Sequence, residues 1–349
     1  MRAEPRLTSL SHGGGCGCKI APGVLQEILR QSPALPVPPE LLVGIETSDD
    51  AAVYQLTDEI AVVATTDFFM PIVDDPEHFG RIAATNALRD IYAMGARPIM
   101  ALAIVGMPIN VLSPQTIGRI LGGGAEACRT AGIPVAGGHS IDSVEAIYGL
   151  VAIGAVHPDR LRRNSGAQPG DVLVLGKPIG VGVQSAALKQ GALDAAGYDA
   201  MIALTTQLNT PGPDLAAIAG VHAMTDVTGF GLAGHALEMA RGSGCGIVID
   251  WQSMPLLSGV RDLARQGFIT GASGRNWASY SDAVSLPNGF AAQDKALLCD
   301  PQTSGGLLVA CAPDALDAVM AVFSQHGFAA AAQIGSLGAI SDVPVISIT

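Results

Sequence analysis

The chain has 349 residues, of which 49% are hydrophobic and only 14% charged, so it is rich enough for two buried cores and is not a disordered polypeptide. A net charge of -12 with no block of Lys or Arg excludes a nucleic-acid partner held on a basic face. A mean hydropathy of +0.39 raises the question of a membrane, but the longest uncharged run, Pro98 to Gly118, is interrupted by three prolines and Asn110 and excludes a span there.

In chain order, Glu4, Pro5 and Arg6 come with no apolar core of a secretory leader, so the cytoplasm is the expected location. SHGGGCGCKI, residues 11 to 20, has neither a helical nor a strand period and reads as a mobile loop carrying two thiols and an ammonium. Val43 to Glu46, Ala51 to Leu56 and Ile60 to Thr65 read as short strands. Residues 77 to 94 carry a helical stripe at Phe79, Ile82, Ala83, Leu88, Ile91 and Met94, ending at Gly95. Ile99 to Val105 predicts a strand, Pro114 to Ala131 a helix, Pro134 to Gly137 a strand start and Tyr148 to Val156 another strand.

HPDRLRRNSGAQPGD, residues 157 to 171, is the most polar stretch mid-chain and reads as a linker. It separates a domain over 21–156, preceded by the loop of 1–20, from a second over 172–349. That second set has a strand at 172 to 176, helices near 181 to 190, 197 to 208 and 229 to 241, and a strand at 246 to 250. A strand at 306 to 311, a helix at 314 to 325 and a final strand pair complete it. Mixed elements throughout give an α/β or α+β class in two halves, with strand order left open.

Acidic residues at the ends of apolar segments carry the chemistry. Asp49 and Asp50 lie in ETSDDAAVY, Asp67 ends VVATTDFF, Asp90 lies inside NALRDIYAM, and Asp226 lies in MTDVTGFGLAGH. A carboxylate beside a hydrophobic strand end is costly to bury without a charged partner, and magnesium, which takes a few carboxylates with phosphate oxygens, answers that need. Competing structural readings apply to each. Asp49 and Asp67 also fit turns or N-caps, Asp90 an ion pair with Arg89 or Arg97, and Asp226 the cap of a helix starting near Gly229. AGGHS, residues 136 to 140, follows a strand and offers backbone N–H groups to a phosphate, although neither a Walker motif nor GxGxxG is present. CDPQTSGGLLVA, residues 299 to 310, reads as a turn before a close-packed strand. Of six cysteines only Cys16 and Cys18 are spaced for chemistry; Cys128, Cys245, Cys299 and Cys311 read as reduced core residues.

Taken in order, SHGGGCGCKI, ETSDDAAVY, TTDFFMPIVDDP, GRIAATNALRDIYAMGARPIMALAI, AGGHSID, MTDVTGFGLAGH and CDPQTSGGLL resemble the selenophosphate synthetase (selenide, water dikinase) family, from about Leu7 to the final strands. DVTGFGL and DPQTSGG belong to the wider superfamily that includes aminoimidazole ribonucleotide synthetase; the CGCK head narrows the resemblance. It implies an aminoimidazole ribonucleotide synthetase-like fold of two domains, the N-terminal one forming a β-barrel across a homodimer and the C-terminal one an α+β sandwich. It implies conversion of ATP, selenide and water to selenophosphate, orthophosphate and AMP, with Mg2+ required and the product serving selenocysteine and selenouridine synthesis. It assigns catalysis to Cys16 and Lys19, and magnesium to Asp50, Asp90 and Asp226. It assigns ATP to Lys19, Thr47, Ser48, Asp49, Asp67, Asp90, Gly138, His139 and Ser140. Rival readings are another ATP-dependent synthetase or kinase of the superfamily, which the CGCK head disfavours, and a non-enzymatic soft-metal or selenium carrier, for which one Cys-x-Cys supplies too few thiolates.

Overall fold

The computed structural model describes residues 4–20, 24, 27–28, 30–31, 37–44, 49–339 and 345–349, the side chains of Cys16 and Cys18 excepted. Its first sheet has six strands: β1 (Leu41–Val43), β2 (Ala52–Gln55), β3 (Ala61–Phe69), β4 (Arg97–Met107), β5 (Val135–Asp142) and β6 (Ile147–Val156), in the order β1-β2-β3-β6-β4-β5. All neighbours are antiparallel except β4 and β5, which the crossover helix α2 (Pro114–Thr130) joins in parallel. Helix α1 (Pro76–Ala93) starts where Pro76 occupies the first turn and Asp75 accepts a hydrogen bond from the His78 N–H. The predicted stripe of this helix is fully buried, at 0% to 1% exposure from Phe79 to Met94.

The second sheet has seven strands: β7 (Val172–Leu175), β8 (Val221–Asp226), β9 (Cys245–Ile249), β10 (Val284–Ser285), β11 (Leu307–Cys311), β12 (Ala332–Ala339) and β13 (Ile346–Ile348). Their order is β10-β13-β9-β12-β7-β11-β8. Among its helices are α3 (Val181–Lys189), α4 (Ala195–Thr205), α5 (Gly212–Ala216) and α6 (Gly231–Ser243), then α7 (Val260–Arg265), α8 (Gly271–Tyr280), α9 (Ala292–Leu298) and α10 (Leu316–Gln325). The α/β alternation is as the sequence predicts, and three differences matter. Strand β3 runs to Phe69, past the expected end at Thr65, because the Asp67 carboxylate is paired in the interior. Strand β8, where the sequence reading placed no element, pairs with β11 and sets Asp226 opposite Leu307. Helix α6 begins at Gly231 with Phe230 as its N-cap residue, so Asp226 is the end of a strand and not the cap of that helix.

Where α1 crosses α2, glycine permits backbone contact. A Cβ on Gly80 would fall on the carbonyl of Ile120, and one on Gly123 on the carbonyl of Glu77. Gly123→Ala is therefore expected to cost about 2 kcal/mol by forcing the helices apart. Gly122→Ala, with nothing within 4 Å of the new methyl group, is expected to gain up to ~1 kcal/mol from helix propensity. Urea denaturation of both variants checks this; equal effects would mean that the crossing does not depend on Gly123.

Candidate active site

The two sheets meet over a cluster of carboxylates around one guanidinium. Asp67 comes from β3, Arg89 and Asp90 from α1, and Asp226 from the end of β8. Arg89, 3% exposed, places Nη2 2.8 Å from Asp67 Oδ2, and Nη1 3.0 Å from Asp90 Oδ1 and 2.6 Å from Asp226 Oδ2. Asn86, one turn earlier on the same helix face, donates to Asp67 Oδ2 at 2.8 Å, and its own Oδ1 accepts from the Ser304 N–H at 2.8 Å. Thr65 Oγ1 donates to Asp90 Oδ2 at 2.6 Å, and Thr225 Oγ1 to Asp50 Oδ1 at 3.0 Å. Asp50, Asp90 and Asp226 each offer an oxygen within 4.8 Å of the others.

The electrostatics follow from this crowding. Burial raises the Asp50 carboxyl well above the ordinary range, and Asp226 and Asp90 push it the same way. Burial raises Asp90 to about 7 against the pull of Arg89, with Asp226 and Asp67 adding to the rise. For Asp67 burial also acts upward, but Lys19 and Arg89 outweigh it and hold the carboxyl below its usual range. Asp50, Asp67, Asp90 and Asp226, when ionised, exceed Arg89 and Lys19 by two negative charges. Asp50 Oδ2 is buried with no hydrogen-bond partner among the described residues. A divalent cation with oxygen preference matches both facts.

Lys19 lies at the edge of this cluster, half-exposed, with Nζ 3.3 Å from Asp67 Oδ2. The preceding residues Gly15–Cys18 form one 3-10 turn, anchored by the Gly15 N–H on the Met70 carbonyl at 2.9 Å. Gly15 has φ +52°, and a Cβ there would meet the side chains of Ile72 and Thr303 at 2.5 Å, so glycine is required for this approach. Asp49 accepts from the Asn164 N–H at 2.8 Å. Thr47 and Ser48 lie outside the described residues. Gly138, His139 and Ser140 are not brought to the carboxylates within this chain. Gly138 is registered through Ala103 and Leu150 to Asp67, three strand spacings or about 14 Å away, on the exposed edge strand β5.

Sequence reasoning missed the centre of the site. Arg89 entered it only as a neutral explanation for Asp90, and Asn86, Thr65 and Thr225 did not enter at all. The available signal was the spacing of Asn86, Arg89 and Asp90 at i, i+3 and i+4 in a stretch, Ile82 to Ala93, whose other residues apart from Thr85 and Tyr92 are aliphatic. The four remaining cysteines are free and buried, with burial raising the Cys128, Cys299 and Cys311 thiols to about 11 and Cys245 above its usual value. They are poor nucleophiles.

Removing the guanidinium strands buried carboxylates, so Arg89→Met is expected to destabilise the fold by roughly 3–5 kcal/mol at pH 8. Without it the carboxyl pKa values rise above those of the unfolded chain, so stability returns as pH falls through them. Denaturation midpoints at pH 8 and pH 5.5 check the sign. A loss of the same size at both would assign Arg89 to packing alone.

Comparison with known proteins fits this geometry. The AIR synthase related protein N-terminal domain matches residues 48–156, and the corresponding C-terminal domain residues 168–344. A selenide, water dikinase of Burkholderia pseudomallei (strain K96243) is 66% identical over 335 residues, covering 96% of this chain and 95% of the relative. Those of Pseudomonas straminea and Rhizobium meliloti (strain 1021) are 65% and 58% identical, over 97% and 98% of this chain and 95% and 99% of theirs. Among solved structures, thiamine-monophosphate kinase from Stenotrophomonas maltophilia K279a (TM-score 0.65, 21% identity, 93% and 94% coverage) and hydrogenase maturation protein HypE (0.64, 21%, 89% and 90%) share the fold. The identity that spans nearly the whole chain is to one group, and the chain belongs to the selenide, water dikinase family within the AIR synthase related proteins.

Proposed function

We propose that this member of the family converts ATP, selenide and water to selenophosphate, orthophosphate and AMP on the carboxylate cluster between its two sheets. The observation that carries the reading is the convergence of Asp50, Asp90 and Asp226 beside Asp67, which Lys19 of the CGCK loop touches. The product would supply selenium for selenocysteine and selenouridine synthesis. A superfamily kinase acting on another acceptor is disfavoured because the thiamine-phosphate kinase likeness is one of fold alone.

Asp50, Asp90 and Asp226 would hold magnesium, whose two charges and oxygen preference suit this donor set. Bound there it would supply positive charge to offset the negative charge of phosphate oxygens. The chain's own groups do the rest. Lys19 holds the terminal phosphates and provides counter-charge for the Cys16 thiolate three residues earlier. Cys16 is the soft handle for selenide, and Cys18 an auxiliary neighbour. Thr47, Ser48, Asp49, Asp67 and Asp90 bind the nucleotide. The loop of residues 1–20 folds over it and excludes water from the first transfer. The regions 21–156 and 172–349 act as ATP-binding and α+β domains, with 157–171 as the linker.

The protein acts as a homodimer in this reading. The face of the first sheet turned away from α1 and α2 exposes Tyr54, Phe68, Ile99 and Ile141, an apolar surface suited to a barrel with a second copy. Such a pairing also gives Gly138, His139 and Ser140, remote from their own carboxylates, a nucleotide to bind on the partner. No helix among the described residues is long and apolar enough to cross a membrane, and the reduced buried cysteines suit the cytoplasm.

Phosphorus NMR of an anaerobic mixture with ATP, magnesium and selenide is expected to show selenophosphate and AMP, with AMP absent when selenide is withheld. ADP as the sole nucleotide product would defeat the reading. Cys16→Ser should give no selenophosphate while still binding ATP, Cys18→Ser should keep much of the activity, and Asp226→Asn should raise the magnesium requirement about tenfold. For the assembly, sedimentation should show a dimer that Ile99→Glu converts to monomers, because the change sets a charge in the apolar face. A wild-type monomer at assay concentration would remove the dimer.

A further inference from the structure

A cavity of about 390 Å³ opens beside the glycine-rich loop, and none of the clustered carboxylates lines it. The loop backbone at Gly13, Gly14 and Gly17 forms one wall, while Lys19 of the same loop reaches Asp67. The end of α3 and the start of α8 form the other walls. The basic side chains on the lining are Lys189 and Arg275, with His12 beside them and no Asp or Glu, although Asp and Glu outnumber Lys and Arg by 31 to 19 along the chain. His12 is paired with Glu145 at 2.9 Å, and Arg275 donates to the Gly17 carbonyl at 3.3 Å. Lys189 makes no ion pair among the described residues and is exposed towards solvent.

We propose that this cavity is the entry and holding site for hydroselenide, an inference that rests on the selenophosphate reading above. Hydroselenide is a monoanion at neutral pH, and the field of a protein with net charge -12 repels it from most of the surface. A concavity lined by Lys189 and Arg275, with no carboxylate on its wall, weakens that repulsion locally. Phosphoryl transfer needs nucleophile and leaving oxygen roughly in line, so with the nucleotide on the carboxylates the nucleophile must approach from elsewhere. The cavity meets that need, because the loop that walls it is the one whose lysine touches the carboxylate side. Its volume is that of a small-molecule pocket, so the anion enters with its water and sheds it on transfer.

Lys189→Gln is the clean variant, since Arg275 also holds the loop; Lys189→Glu strengthens the effect. Anaerobic kinetics should show the KM for selenide raised about five- to tenfold in Lys189→Glu, with kcat at saturating selenide and the KM for ATP within about twofold of wild type. Added salt should raise the selenide KM of the wild type and leave that of the variant nearly unchanged. An unchanged selenide KM, or an equal shift in the KM for ATP, would overturn the proposal. An independent arm uses sodium iodide, a soft monoanion, soaked into crystals of the full chain. Anomalous density beside Lys189, lost in Lys189→Glu, supports an anion site; iodide elsewhere only overturns it. A wild type that binds iodide here but makes no selenophosphate would instead refute the reaction, leaving an anion site without this substrate.

Discussion

One guanidinium holds the arrangement together. Arg89 donates to Asp67 and Asp226, which lie on strands of different sheets, and forms an ion pair with Asp90, and nearly all of it is withdrawn from water. A buried cation among carboxylates is stable only if each partner is present, because desolvation is repaid by several short charge-assisted bonds at once. The two halves of the chain therefore fix each other's position through the site itself. The same pairing explains local structure: β3 continues through Asp67 although an unpaired carboxylate would end it, and β8 runs to a fully buried Asp226. The excess of negative charge left over by Arg89 and Lys19 is what makes the cluster receptive to a divalent cation.

A second link runs through the turn before β11. Asp300, raised to about 7 by burial, accepts from the N–H groups of Gly182 and Val183 at the start of α3, and Gln302 accepts from those of Gly180 and Val181. Lys177, fully buried, donates to the carbonyls of Gln207 and Ser304 at 2.6 and 2.8 Å. Ser304, at φ 52°, then gives its N–H to Asn86, which holds Asp67. The DPQTSGG stretch is thus more than a turn before a strand. Its hydrogen bonds run from the start of α3, whose other end walls the cavity, to the Asn86 amide that holds Asp67. Burial disfavours the thiolates of the core cysteines Cys128 and Cys311.

Much was legible from residue order. The helical stripe of residues 79 to 94, the strand with Tyr148 to Val156 and the turn residues around Gly95 are local patterns, and side-chain period decides them without reference to the rest of the chain. The aspartates stood out because a carboxylate at an apolar strand end needs a partner, and three of them do converge. The motif series carried the family, since each short segment is specific in its order and spacing. What was not legible is what depends on residues far apart. Strand β8 is six residues long, and its pairing with β11 spans about eighty positions, so no local period announces it. Arg89 beside Asp90 reads as an ordinary helix-surface pair until Asp67 and Asp226 arrive from other elements, 22 and 137 positions away. By itself the sequence determined many of the elements, the family and the chemical types present, because these rest on neighbours along the chain. Only the tertiary structure decided which charges share a partner, that Gly138 to Ser140 stand three strands from the carboxylates, and that basic residues gather in a cavity beside the loop, because burial and Coulomb energy depend on distance in space.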